Sequence, residues 1–143
     1  MNSPELSLLR PDTGPRLRLA RLWWAVGIAM MSYIVVSCLE PARYVPDLHL
    51  WDKLEHASAF FGMTLWFGGL TRRSRYPVIG VLMALLGGGI EIAQGAMHWG
   101  RDADIMDFVA DSVGIVLALI ALYLGVGGWA SWIERLIWPA RDR

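Results

Sequence analysis

The sequence predicts an all-α membrane protein with four transmembrane helices and a short interfacial helix at the C-terminal end. Three observations predict it. Residues 22–39, 54–70, 78–97 and 108–128 are apolar stretches, each near the ~20 residues that a bilayer-crossing helix needs. The basic residues are one-sided: with those stretches as spans, ten of the thirteen Lys and Arg fall on one side. Trp23, Trp24, Trp66, Trp129, Trp132 and Trp138 gather near that same side, and Trp51 and Trp99 near the other, as interfacial aromatic belts do. An apolar share of 55% in 143 residues and a mean hydropathy of +0.41 fit a small membrane bundle better than a soluble domain.

Residues 1–21 form a polar tail with Pro4, Pro11, Gly14 and Pro15, expected to be disordered and cytoplasmic. The first span ends in Val35-Val36-Ser37-Cys38, which looks like a lipoprotein cleavage site. The lead before it is long for a signal peptide and its apolar stretch is long enough to span, so a retained helix is expected. Cys38 is then an apolar residue near the outer surface. Pro41 and Pro46 break the chain into an outer loop that also holds His49, because proline removes a donor and clashes with the preceding turn. Arg72, Arg73 and Arg75 join spans two and three, and Pro77 opens the third span, where its missing N–H is harmless. Gly80, Ala84 and Gly88 on span three, and Ala110, Gly114 and Ala118 on span four, are small-residue stripes that let backbones approach. They predict that spans three and four pair closely. The membrane domain is 22–128. An amphipathic cytoplasmic tail, 129–143, carries aromatic and aliphatic residues at helical spacing around Glu134 and Arg135 and stops at Pro139.

Charge sets the orientation. Arg10, Arg16, Arg18, Arg21, Arg72, Arg73, Arg75, Arg135, Arg141 and Arg143 share one side, and Arg43, Lys53 and Arg101 the other. The positive-inside rule makes the first side cytoplasmic, with both termini on it. Nine of the thirteen acids and all three histidines lie on the outward side, so chemistry is expected there. Nucleic acid is not an expected partner, since inner-leaflet lipid accounts for the arginines.

The polar groups within the outer halves of the spans are the candidate site. Glu91, Gln94 and His98 share one face of span three, and Asp104, Asp107 and Asp111 share one face of span four. At 1.5 Å per residue, Glu91 and Asp111 lie at similar depth, roughly 10 Å below their helix ends. Span two adds Asp52, Lys53 and His56, and the tight loop between spans three and four adds Arg101. Carboxylates at that depth cost several kcal/mol unless paired, protonated or hydrated. Either a structural network fixes helix register, or the residues line a functional pocket.

In order and approximate spacing, Asp52-Lys53-x-x-His56, Glu91-x-x-Gln94 and Arg101-x-x-Asp104-x-x-Asp107-x-x-x-Asp111-x-x-Gly114 resemble the VanZ-like family of bacterial membrane proteins. The resemblance runs from about Asp52 to Gly114. It implies a VanZ-like bundle in the inner membrane and a cell-envelope role; the family's namesake is associated with low-level resistance to the glycopeptide teicoplanin. Asp111 stands where that family commonly has Asn, which adds a charge beside Glu91.

Three functional readings stay open. As an enzyme at the outer leaflet, the protein would use His56 with Asp52 as general base and Glu91 as acid, with Asp107 and Asp111 in the same catalytic group. Lys53 and Arg101 would clamp an anionic headgroup, aided by Gln94 and Asp104. As a binding protein, it would hold a membrane lipid, a lipid-linked cell-wall precursor or an antibiotic without chemistry, with Arg101 and Lys53 against phosphate or carboxylate. A metal-dependent version would draw on His56, His98, Glu91 or a nearby Asp, although no complete ligand set is legible and no cofactor is indicated. Ion conduction is not expected, because the polar residues stop halfway through the spans.

Both termini should therefore be cytoplasmic and the segments 41–51 and 98–105 outward. Cysteine-accessibility labelling in intact cells checks this; an externally labelled cysteine between positions 71 and 76 would reverse the orientation.

Overall fold

A computed structural model describes residues 17–40, 49–97 and 104–138. Among these the protein is all-helical, 89% helix with no strands. The helices are α1 (Ala20–Cys38), α2 (His49–Gly69), α3 (Tyr76–Met97), α4 (Ile105–Ala121) and α5 (Trp129–Ile137), with a 3-10 turn, Arg73–Arg75, leading into α3.

The surface is inverted relative to a water-soluble protein. Leu85, Ile92, Ile105 and Leu124 are 68%, 75%, 67% and 82% exposed, whereas His56, Thr64, Glu91, Gln94, Asp107 and Asp111 are buried. Exposed apolar patches on this scale would drive aggregation in water and are neutral in lipid. The helices Ala20–Cys38, Arg73–Met97 and Ile105–Val126 are long and apolar enough to cross a membrane. The second expected span does form a helix of 21 residues, yet it is not among these three. Its first turns carry Asp52, Lys53, Glu55 and His56, which lower its hydropathy. α2 is also the helix packed against α1, α3 and α4, and its Lys53 and His56 side chains find partners on α4 and at its cap. It begins at His49 and takes in residues expected in the loop.

Both ends of the bundle are built by cross-helix contacts. At one end Glu134 of α5 accepts hydrogen bonds from the backbone N–H groups of Arg18 and Leu19, at 2.6 and 2.9 Å, and from Trp23 Nε1 at 2.9 Å. A carboxylate from the last helix thus caps the first, satisfying N–H groups that an α-helix leaves open at its start. Burial alone would raise the pKa of Glu134, but the two backbone donors and the Trp23 indole outweigh it and hold the carboxyl below the usual glutamate range. Trp23, Trp66 and Trp129 cluster beneath this cap, Trp23 meeting Trp129 edge to face with ring centroids 5.3 Å apart and Trp66 tilted against Trp129 at 4.9 Å. Trp129 Nε1 donates to the Leu65 carbonyl at 3.1 Å, and Tyr76 meets Tyr123 edge-on. The start of α1, the end of α2, the start of α3 and the end of α4 therefore share this end. At the opposite end Gln94 Nε2 donates to the Cys38 carbonyl at 2.8 Å, and Lys53 reaches Asp104.

The helix pairing differs from the expected one. Gly114 of α4 faces α2, not α3: a Cβ there would meet the Ala57 carbonyl oxygen and lie 3.0 Å from Phe61 N. The centre of the α4 stripe is thus spent on α2, and those two helices form the most extensive pair. The α3 stripe receives large side chains of α4, with Leu119 2.9 Å from a Cβ at Gly80 and Phe108 3.6 Å from one at Gly88. Beneath these contacts Phe60, Met63, Phe67, Ile79, Met83, Ile90 and Ile115 form the apolar core. The fourth helix also ends sooner than the expected 108–128. Its regular part stops at Ala121 and continues as a wider turn, Leu122–Val126, in which Gly125 adopts φ 121°, open to glycine at little cost. The first helix starts two residues inside the expected tail 1–21, at Ala20.

Gly114→Ala should push α2 and α4 apart and cost about 1–3 kcal/mol, read as a lower melting temperature in detergent. Gly62, with nothing within 4 Å of an added Cβ, is the control: Gly62→Ala should be neutral or stabilising by up to about 1 kcal/mol. Equal melting of the two variants would refute the close α2–α4 contact.

Candidate functional site

The site lies where α2, α3 and α4 converge at the end that carries Lys53. α2 contributes Asp52, Lys53 and His56 over one turn, and α3 contributes Glu91 and Gln94 three residues apart. Asp104 caps α4, its side chain accepting from Met106 N at 2.8 Å, and Asp107 and Asp111 follow on the buried face. The cap explains why α4 starts at Ile105: an N-terminal aspartate satisfies an otherwise open N–H of the first turn.

Two linked clusters result. In the outer one, Lys53 Nζ bridges Asp104 Oδ2 at 2.7 Å and Asp107 Oδ1 at 2.8 Å. Asp104 also donates its backbone N–H to Glu91 Oε2 at 2.9 Å, so one residue ties α2, α3 and α4 together. In the inner cluster, His56 Nδ1 lies 2.9 Å from Asp111 Oδ1, with the two side chains 4% and 0% exposed. Glu91 joins them: the ligand atoms of His56, Glu91 and Asp111 lie within 4.8 Å of one another, and so do those of Asp52, His56 and Asp107. Gly87 makes room for this, since a Cβ there would stand 2.7 Å from Asp111 Oδ2. Two carboxylate oxygens, Glu91 Oε1 and Asp111 Oδ2, are buried without a hydrogen-bond partner.

A cleft of about 220 Å³ opens beside His56 between the end of α1 and the start of α2, lined by Tyr33, Ser37, Glu40, Asp52 and Glu55 among others. Its charged lining is acidic. His56 is thus reached from the cleft on one side and backed by Asp111 on the other.

Most sequence-derived site residues come together, with altered partners. Glu91 and Asp111 do meet at one depth. Asp111, expected as one carboxylate among several, is the hydrogen-bond partner of His56, while Asp52 lies at the cleft side. Lys53, expected as an anion clamp, is engaged by Asp104 and Asp107. Gln94, expected to bind ligand, holds the α1 backbone at Cys38. Arg101 and His98 lie outside the described residues, as do Pro41 and Pro46. Sequence reasoning missed Gly87 and the helix-tying role of Asp104. The aspartate before an apolar helix was a legible capping signal; which side chain Gly87 would admit was not.

The fold and site define a helical membrane protein with a buried histidine–carboxylate cluster near one end of the bundle. The chain matches no protein-family model and shows no significant similarity to a curated protein or a solved structure.

Lys53→Met should leave Asp107, whose side chain is only 10% exposed, without its cation. A loss of about 1–3 kcal/mol is expected, measured by thermal unfolding in detergent or nanodiscs. Adding Asp107→Asn to that variant should recover part of it, because a neutral amide tolerates burial better than an unpaired carboxylate.

Proposed function

We propose that this chain is a four-span protein of the bacterial inner membrane with both termini cytoplasmic. Its outward-facing pocket binds or modifies a lipid headgroup or a lipid-linked cell-wall precursor. Four observations support the membrane part. α2 runs between the same two ends as its neighbours. Its 21 residues would extend about 31 Å, and Lys53 and His56 in its polar turns are engaged by carboxylates of α4 and its cap. The Glu134 cap on α1 puts the start of α1 and the helix after α4 at one end, which requires an even number of crossings. The ten-to-three division of basic residues makes that end cytoplasmic.

The observation that carries the functional part is the buried His56–Asp111 pair beside Glu91, opening on a cleft at the outward end. A neutral imidazole held by a carboxylate on one nitrogen is oriented for proton transfer at the other. Glu91, with one oxygen fixed by Asp104 N–H and one without a partner, is the second proton-transfer candidate. The motif order that resembles the VanZ-like family supports a cell-envelope role and makes glycopeptide susceptibility a natural phenotype to examine. A second reading, a network that only fixes helix packing, is favoured by the ties from Lys53 to Asp104 and from Gln94 to the α1 backbone.

Glu91→Gln and His56→Gln separate the two. In a packing network, removing a costly buried charge at Glu91 is mild or stabilising. In a working pocket, each variant should accumulate and melt near the wild-type temperature. Each should nevertheless lose at least tenfold of the activity that shapes the lipid-precursor profile or the glycopeptide susceptibility of the cells. Unchanged profiles and susceptibility in both variants would leave packing as the sole role.

A further inference from the structure

We infer that His56, Glu91 and Asp111 form a binding site for one divalent transition-metal ion, Zn²⁺ or Mn²⁺, between α2, α3 and α4. Their nitrogen and oxygen donor atoms lie within 4.8 Å of one another. An ion coordinated tetrahedrally at about 2.1 Å holds neighbouring donors roughly 3.4 Å apart, within reach of small side-chain rotations. One imidazole with two carboxylates is a borderline donor set, which suits first-row metals better than Mg²⁺ or Ca²⁺.

The second observation is independent of the clustering. Glu91 Oε1 and Asp111 Oδ2 are carboxylate oxygens without a hydrogen-bond partner, and their residues are 7% and 0% exposed. Buried polar atoms are nearly always satisfied, and each exception needs an explanation such as an ion. Here the other oxygen of each carboxylate is already fixed: Glu91 Oε2 by Asp104 N–H, and Asp111 Oδ1 by His56 Nδ1. Each group thus presents one oxygen held in place from behind, as hydrogen bonds to metal-bound carboxylates do. Gly87 clears the space beside Asp111 Oδ2.

Charge points the same way. Two carboxylates and a neutral imidazole sum to −2, and a divalent ion brings the buried cluster to neutrality. Lys53, the basic side chain of α2 at this end, is engaged by Asp104 and Asp107. A cleft leads to the His56 side of the cluster. Glu40, Asp52 and Glu55 line the cleft beside His56, and an acidic mouth concentrates cations. Binding needs a ring nitrogen of His56 and both carboxylates free of protons, so protons compete with the ion and affinity rises with pH.

The ion site stands on this geometry. Its consequence for substrate rests on the pocket reading proposed above: an acid-lined cleft repels phosphate, and a bound cation makes an anionic headgroup the fitting ligand.

Purified full-length protein in nanodiscs, treated with chelator and dialysed, is titrated with Zn²⁺ and with Mn²⁺ by calorimetry. Metal content is measured after desalting. The expected result is one ion per chain, with binding weakened at least tenfold by each of Asp111→Asn, Glu91→Gln and His56→Gln, and retained in Ser58→Ala. Mn²⁺-loaded wild type should show a single histidine nitrogen coupling in pulsed electron paramagnetic resonance, a readout that needs no variant to fold. No retained ion with either metal, absence of that nitrogen coupling, or binding indifferent to all three substitutions would overturn the site. A metal-free protein whose His56→Gln variant still loses its envelope phenotype would refute the ion and leave the proton-transfer pocket standing. A one-ion protein with no phenotype in any variant would do the reverse.

Discussion

Gly114 lies against the backbone of α2 at Ala57, and that approach sets the geometry of everything above it. Ala57 follows His56, and Gly114 lies one helical turn from Asp111 on the same buried face of α4. Bringing the two backbones together at that level brings the imidazole to 2.9 Å from the carboxylate. In lipid there is no hydrophobic drive between helices, so close backbone contact and buried hydrogen bonds must supply the association. α2 gains from this position, since a helix with Asp52, Lys53, Glu55 and His56 in its first turns needs protein on several sides. The small residue on α4 and the polar residues on α2 are two halves of one arrangement.

Polar ties concentrate at the two ends of the bundle. One end is held by Glu134, which caps α1 from α5, together with the Trp23–Trp66–Trp129 stack. The other is held by Asp104, which caps its own helix, binds Lys53 and donates to Glu91. Among the described residues the buried middle is apolar apart from Thr64, whose hydroxyl has no partner. Such a distribution keeps hydrogen-bonding groups near water or near one another, and leaves the inner cluster of His56, Glu91 and Asp111 as the costly exception. Three ionisable groups with two unpartnered oxygens are expensive in a low-dielectric interior. That cost is why the cluster, and not the better-satisfied Lys53 network, carries the functional reading.

The acid-lined cleft changes how a headgroup would be recognised. Sequence reasoning assigned anion recognition to Lys53 and Arg101. Lys53 is held by two aspartates, and Arg101 lies outside the described residues. Among the described residues Lys53 is thus engaged within the protein, and the cation proposed for the histidine–carboxylate cluster would supply a positive centre for an anionic ligand. Proton transfer and metal binding draw on the same three side chains because both need an imidazole backed by carboxylates away from bulk water.

Composition and periodicity alone determined the helical class, the apolar stretches and the gathering of polar residues toward one end. Each follows from a solvent preference that acts on single residues or single helix faces. The shared depth of Glu91 and Asp111 was legible too, because rise per residue is the same in every helix. Partner choice was not. Whether Gly114 met α3 or α2, and whether His56 faced Asp52 or Asp111, depends on how helices rotate and cross, which a one-dimensional pattern does not encode. The diversion of Gln94 to the α1 backbone and of Glu134 to the start of α1 likewise depends on contacts more than fifty residues apart in sequence. Only the packed bundle decided which carboxylate oxygens were satisfied, and so which of the many acids of this chain form a site.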